Sequence, residues 1–345
     1  MAQINRQWIL SRRPKGRVKR EDFEYREVPV PDAELKAGEI LIRNMIFICA
    51  PTMRNWMDEA RNNLYPSNPL GAPMLALSAG RVAKSADPRF PVGSRVTAYS
   101  SWQDYQILNA DACGVKLMHK NLNFVEVMGV YGINAIAAYF GVKDVGRPQK
   151  GDTLVVTGAA GSVGSYAAQI GKIMGCRVIG IAGGPAKCEW LLNDCGLDAV
   201  VDYKSENVAA RLAELCPNGI NIFFDNVGGD MLQAGVDLMA KFGRIVLCGQ
   251  IAAYNDGRPV QGPTNMMRLV YGSVTMQGFL QGDYTARHPQ AIEEMIGWVK
   301  AGKLKHREDV RPGFNEIPEN FNTLFSGENK GTLLVAIDDG IWDRE

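Results

Sequence analysis

Residues 152–187, DTLVVTGAAGSVGSYAAQIGKIMGCRVIGIAGGPAK, decide how the rest of the chain reads. Residues 153–157 (TLVVT) form a short apolar run rich in β-branched side chains, as expected of a strand buried on both faces. A tight glycine turn, GAAGSVG, follows at 158–164. Behind it Val163, Ala167, Ile170 and Ile173 recur at helical spacing, and 177–181 (RVIGI) supplies a second apolar strand. This predicts a β-turn-α-β unit with glycines at the first strand-to-helix turn. Glycine there lets the backbone bend sharply and lie close to a pyrophosphate, whose charge sits against the free N–H groups and positive end of the helix. A glycine triplet also punctuates ordinary turns, so a purely structural turn in another α/β protein is the competing reading. Ala159 stands where the usual pattern has its first glycine, which is acceptable only if the backbone keeps a negative φ there.

The end of the second strand bears on the choice of cofactor. A site selective for NAD would place Asp or Glu roughly 20 residues beyond the glycines, to bond the adenosine 2′-hydroxyl. The positions after Ile181 instead read Ala182-Gly183-Gly184-Pro185-Ala186-Lys187, without a carboxylate. A 2′-phosphate could enter there without repulsion and meet Lys187; the alternative is a surface lysine in the first turn of a helix.

A chain of 345 residues is long for one core and predicts two domains. With 46% hydrophobic and 22% charged residues and a net charge of +1, nothing points to nucleic acid or a membrane surface as partner. The seven cysteines are odd in number and form no CxxC pair, which predicts reduced thiols in a cytoplasmic protein rather than a disulfide frame. The apolar stretch 127–142 is interrupted by Asn134 and three glycines, and reads as a buried helix, too short for a membrane span. The basic run 12–20 reads as a solvated loop before the first strand.

Taken in order, 23–28, 39–43, 80–82, 91–97 and 104–108 read as strands of an irregular β domain over 1–125, and helical patterning starts only near Asn123. Beyond it, strands at 199–201, 220–224, 243–247 and 273–279 alternate with helical segments. With the first two they make a six-stranded doubly wound sheet. A helix at 291–300 and a strand at 331–337 close the chain.

This order of parts resembles the medium-chain dehydrogenase/reductase superfamily over essentially the whole chain. More narrowly it is similar to the zinc-independent branch of prostaglandin reductases, alkenal double-bond reductases and the bacterial curcumin reductase. The residues that carry the resemblance are GVYG at 129–132, AYFG at 138–141, AAGSVG at 159–164, DNVGG at 225–229, CGQIAAY at 248–254, QGF at 277–279 and GENKG at 327–331. The fold implied is α/β: a GroES-like β-rich domain over 1–125 and 305–345, and a doubly wound Rossmann NADP-binding domain over 126–304. Residues 71–80, where alcohol dehydrogenases of the superfamily carry a Gly-His-Glu ligand motif, hold neither His nor Glu, and only three dispersed histidines exist. No metal is therefore expected.

Carried over position by position, the resemblance implies NADP(H) as cofactor. Gly161, Ser162, Val163 and Gly164 would hold the pyrophosphate, and Lys187 with Tyr203 the 2′-phosphate end. Asn226, Cys248, Gly249, Ile251, Tyr254, Phe279, Leu280 and Asn329 would line the adenine, ribose and nicotinamide. Tyr271 matches the tyrosine proposed to face the substrate, as a hydrogen-bond donor to its carbonyl oxygen or a proton donor to the enolate. A tyrosine packed at a domain or subunit contact is the alternative, and Tyr254 and Tyr139 are weaker candidates for the same pocket. Many relatives carry Asp-Pro-Tyr-Met-Arg where this chain has Ala50-Pro51-Thr52-Met53-Arg54, which should reshape the pocket mouth together with the loop 56–69.

The expected reaction is NADPH-dependent reduction of the C=C bond of a small hydrophobic enone or enal, with Met53, Met74, Leu75, Phe279 and Leu280 as apolar lining. An NADP-linked secondary alcohol dehydrogenase, a quinone reductase or a non-catalytic nucleotide-binding protein are the alternatives. Relatives are commonly homodimers joined edge to edge through the nucleotide domain, with the 273–279 strand as candidate edge.

Overall fold

Strand β1 (Ile4–Leu10) runs antiparallel to β2 (Phe23–Pro29), pairing Trp8 with Tyr25 and Leu10 with Phe23. The computed structural model describes residues 3–59, 66–254 and 261–344. The sequence reading missed β1 because Asn5 and Gln7 blur its alternation. Asn5 is fully buried, its side-chain amide donating to the Gln103 side chain at 3.2 Å and the Tyr105 carbonyl at 3.0 Å. A strand thus precedes the basic run 12–20, and that run is only partly solvated. Buried Arg54 donates to the backbone carbonyls of Pro14 (3.0 Å) and Gly16 (3.2 Å), and Val18 is buried.

Next come β3 (Glu39–Ile48), α1 (Met53–Trp56), β4 (Leu75–Ser85), β5 (Arg95–Ser101), β6 (Tyr105–Asn109), β7 (Lys116–Leu117) and α2 (Phe124–Met128). The expected strand at 91–97 is largely a turn, since β5 begins only at Arg95, and β4 is far longer than 80–82. Helix α2 starts where its side-chain chemistry dictates: Asn123 caps the Glu126 N–H at 2.8 Å, and Glu126 returns to the Asn123 N–H at 2.9 Å.

The apolar stretch 127–142 is not one helix. It breaks at Gly129 and Gly132, resumes as α3 (Ile133–Phe140), and continues into a π-helical turn, Gly141–Gly146. Then follow β8 (Thr153–Thr157), α4 (Ser162–Ile173), β9 (Arg177–Ala182), α5 (Pro185–Asn193), β10 (Ala199–Asp202), α6 (Val208–Leu215), β11 (Ile220–Asp225), α7 (Gly229–Asp237), β12 (Met239–Leu247), α8 (Met267–Gly272), β13 (Thr275–Gly278) and α9 (His288–Lys300). The six strands lie in the order β10-β9-β8-β11-β12-β13 and every pairing is parallel. Val155, Ile179, Phe223 and Ile245 are wholly buried on it, each contributing on the order of 1.5–3 kcal/mol. The order reverses direction between β8 and β11, which places the binding crevice of an open sheet beyond their carboxyl ends.

The last elements are β14 (Glu308–Pro312), α10 (Ile317–Ser326) and β15 (Thr332–Ala336). β14 escaped the sequence reading because EDVRP has almost no apolar content; an Asp309–Arg311 ion pair at 2.9 Å accompanies it. β15 lies between β14 and β3 in a sheet ordered β14-β15-β3-β4-β5-β7, with β6 also on β3. Two units result: Met1–Gly129 with Glu308–Glu345, and Val130–Arg307. Among the described residues no helix is long and apolar enough to cross a membrane.

Candidate nucleotide site

The turn after β8 is shaped by what its glycines lack. Gly158 has φ +59°, and a Cβ on Gly164 would lie 2.2 Å from the Gly158 carbonyl oxygen, so only hydrogen lets the first turn of α4 close onto the loop. Ala159 is absent from the positive-φ residues, and its N–H donates to the Ile181 carbonyl at 2.9 Å, which is why alanine serves there. The α4 ladder begins with Ser165 N–H on the Gly161 carbonyl at 3.0 Å. The N–H groups of the first turn therefore lie ahead of the ladder, at the positive end of the helix. This cradle fits a pyrophosphate. The Asn134 side-chain amide donates to Ser162 Oγ at 2.9 Å, a contact signalled in the sequence only by a lone Asn in an apolar stretch.

Beyond β9 and β10 the chain builds a second corner. A Cβ on Gly183 would meet the Tyr203 ring at 2.7 Å, so that ring lies against the glycine backbone. Lys187 occupies the first turn of α5, half-buried, and its ammonium pKa is lowered, first by burial and then by the nearby Lys204. The sequence reading found no carboxylate after Ile181, but β10 places Asp202 beside Ala182. That carboxylate accepts the N–H groups of Gly184 at 2.8 Å and Lys204 at 3.0 Å, bonds that hold its pKa below the usual range. Tyr203 also borders an open groove of about 330 Å³ with Asn207, Val208, Ala209, Asp230, Met231 and Ala234, none of which the sequence reading singled out.

At the ends of β8, β11 and β12 one buried residue, Asp225, links three strands through its side chain and its backbone carbonyl. Asp225 is 1% exposed; its side chain accepts Thr157 Oγ1–H at 2.7 Å and the N–H groups of Val227 (3.0 Å) and Gly228 (3.0 Å). Burial raises its pKa, against the lowering effect of those bonds. Its backbone carbonyl accepts Cys248 N–H at 2.9 Å and Gly249 N–H at 3.1 Å. Asn226 donates its side-chain amide to the Thr157 carbonyl at 2.7 Å, and the Asn226 carbonyl accepts Ile251 N–H at 3.2 Å. Tyr254 Oη accepts the Gln250 N–H at 3.3 Å. The Cys248 thiol is pushed up to about 12 by burial and by Asp225, so it stays protonated near neutrality.

Gly161 to Gly164, Lys187, Tyr203, Asn226 and Cys248 to Ile251 thus follow the carboxyl ends of parallel strands, at one end of one sheet. Other expected residues stand differently. The Phe279 ring packs with Phe224 against Gly141, where a Cβ would meet them at 2.6 and 2.7 Å, whereas Leu280 is 65% exposed. Tyr271 is 80% exposed on α8. Tyr139 does not offer its hydroxyl to a pocket: it bonds Glu294, and Lys143 donates to it at 2.8 Å. Met53 and Met74 are wholly buried and act as core, not as an open lining; Leu75 is half-buried. Asn329 belongs to the other unit, its side-chain amide donating to the Gly331 carbonyl at 2.9 Å. Of the loop 56–69, residues 60–65 lie outside the described residues.

Two family models match the chain: the N-terminal domain of oxidoreductase over residues 6–115, and zinc-binding dehydrogenase over 162–301. Despite the second description, the described residues contain no group of three or more His, Cys, Asp or Glu side chains arranged to hold a metal ion. The NADPH-dependent curcumin reductase of Escherichia coli is 35% identical, over 97% of this chain and 97% of its own. The NADP(+)-dependent 2-alkenal reductase of Nicotiana tabacum is 34% identical, over 96% and 97%. Among solved structures, CurA from Vibrio vulnificus superimposes with a TM-score of 0.90 at 35% identity, over 97% of this chain and 99% of its own, and CurA in complex with NADPH gives 0.88. Quinone oxidoreductases, at 20% identity and a TM-score of 0.77 for that of Escherichia coli, share the fold. The chain belongs to the medium-chain dehydrogenase/reductase superfamily, in the zinc-independent branch of the curcumin, 2-alkenal and prostaglandin reductases.

Proposed function

We propose that this protein is an NADPH-dependent reductase of the carbon–carbon double bond of α,β-unsaturated ketones or aldehydes. The observation that carries the cofactor is the pairing, at the carboxyl end of the sheet, of the glycine cradle at the start of α4 with Lys187 and Tyr203 at the adjoining strand ends. The cradle takes the pyrophosphate and the Lys187–Tyr203 corner the 2′-phosphate. The groove beside Tyr203 takes the adenine, and the turns carrying Asn226, Cys248, Gly249, Ile251 and Tyr254 border the rest of the nucleotide. NADPH, when bound, supplies the hydride. The Tyr271 hydroxyl donates a hydrogen bond to the substrate carbonyl oxygen, steadying charge that gathers there, or gives a proton to the enolate. Catalysis by a hydroxyl this solvated requires that substrate or a second copy cover it.

A homodimer is part of the same reading. β13 is the outer strand of the sheet, and Phe242, Met266, Met267, Val270 and Tyr271 near it are 47–80% exposed, an apolar surface that suits a second copy of this chain.

The test is turnover with NADPH on a linear enone, a cyclic enone and a quinone, with the products identified. A saturated ketone with its carbonyl intact is the expected product. Tyr271→Phe is expected to lower kcat about 100-fold without changing the dissociation constant for NADPH. An alcohol product, or consumption only with the quinone, would replace the proposed chemistry while leaving the cofactor.

A further inference from the structure

A dianionic 2′-phosphate presents three oxygens, and Lys187 with the Tyr203 hydroxyl can answer only part of that charge. The turn after β10 brings a further cation to the same corner. Tyr203 N–H donates to the Ala182 carbonyl at 3.0 Å, which fastens the 203–204 backbone to the end of β9. The N–H groups of Gly184 and Lys204 converge on the same Asp202 oxygen, at 2.8 and 3.0 Å, so the start of α5 and the residue after Tyr203 share one anchor. Asp202 is thereby turned onto backbone donors. The other carboxylate of the turn, Glu206, is engaged by the Asp202 N–H at 2.7 Å and by Arg211 at 3.3 Å. Lys187 already feels Lys204 as a like charge. Two cations brought to one corner by the backbone, with the carboxylates of the 202–206 turn bonded to backbone donors and Arg211, form a corner suited to a dianion.

We propose that Lys204 is a second cation of the 2′-phosphate subsite, and that Lys187 and Lys204 together set selectivity for NADPH over NADH. This rests on the NADP(H) reading above. Lys204 is exposed and contributes its structural hydrogen bond through its main chain, so replacing the side chain leaves the turn intact. The role requires no contact with the reacting atoms. Lys204 is a specificity residue.

The experiment is calorimetric binding of adenosine 2′,5′-bisphosphate and adenosine 5′-monophosphate to the full chain and to Lys204→Gln and Lys204→Arg. The intact chain is expected to prefer the bisphosphate strongly. Lys204→Gln is expected to weaken the bisphosphate about 5- to 10-fold, leave the monophosphate unchanged and flatten the salt dependence, with Lys204→Arg restoring binding. In the absence of ligand, the pH profile of Lys187 acylation, followed by mass spectrometry, should move to higher pH in Lys204→Gln, because a like charge has been removed. Unchanged bisphosphate binding, equal weakening of both nucleotides, or an unmoved Lys187 profile would each overturn the role of Lys204. A parent chain that does not distinguish the two nucleotides would overturn the NADP(H) reading itself, and this inference with it.

Discussion

Gly164 and Gly161 stand three positions apart in one turn and do different work. Alanine at 164 would drive its Cβ to 2.2 Å from a backbone oxygen, whereas at 161, with φ −78°, the nearest heavy atom is 3.2 Å away. Gly164→Ala is therefore expected to cost about 1–3 kcal/mol in urea unfolding and to abolish nucleotide binding by displacing the start of α4, with Gly161→Ala the milder of the two. The importance of this turn was legible, since glycines between an apolar strand and an apolar helix leave few readings. What a polar side chain touches was not. Tyr139 and Tyr271 look alike in a sequence, yet one is tied to Lys143 and Glu294 and the other stands 80% exposed. Asp202 escaped notice because its neighbour across the ladder, Ala182, is twenty positions away in the chain. Its carboxylate also serves backbone donors that no sequence pattern displays.

Elements with uniform apolar character were the readable ones. β8, β9 and β11 are buried parallel strands whose central positions are apolar, and β10 beside them is a short apolar run at the outer side of the sheet. β1 and β14 were missed because their polar residues are satisfied by partners distant in sequence or by one another. The stretch 127–142 misled because average hydropathy does not register that Gly129 ends one helix and Gly132 caps the next. At the outer edge of the sheet, α8 presents Val270 at 66% exposure next to the unpaired side of β13. If a second copy packs there, a charge buried in that contact is costly. Val270→Lys is expected to convert the dimer to monomer in sedimentation velocity while changing the unfolding free energy of the monomer by no more than about 0.5 kcal/mol. A monomeric parent chain would remove the dimer from the proposal.

All seven cysteines of the molecule are free, and two of the buried ones supply a test of how the whole fold responds to pH. Burial pushes the thiols of Cys49 and Cys195 up to about 12 from 9.0. Their folded-state pKa lies above the unfolded value, so their contribution to stability is complete below about pH 9 and is lost as pH rises toward 12. The urea midpoint is expected to hold up to pH 9 and fall above it, and the fall should shrink in Cys195→Ala, a comparison that removes the background from lysines and tyrosines. The two-unit division has a consequence in time rather than in space. β15 is buried throughout between β14 and β3, yet 207 residues separate Gly129 from Ala336, and the continuous unit Val130–Arg307 is made in the interval. At about 5–20 residues per second, a ribosome needs roughly 10–40 seconds to cover that distance. Throughout it, the outer side of β3 waits without its neighbour. The continuous unit, encoded in the middle, can therefore finish folding before the unit that was begun first.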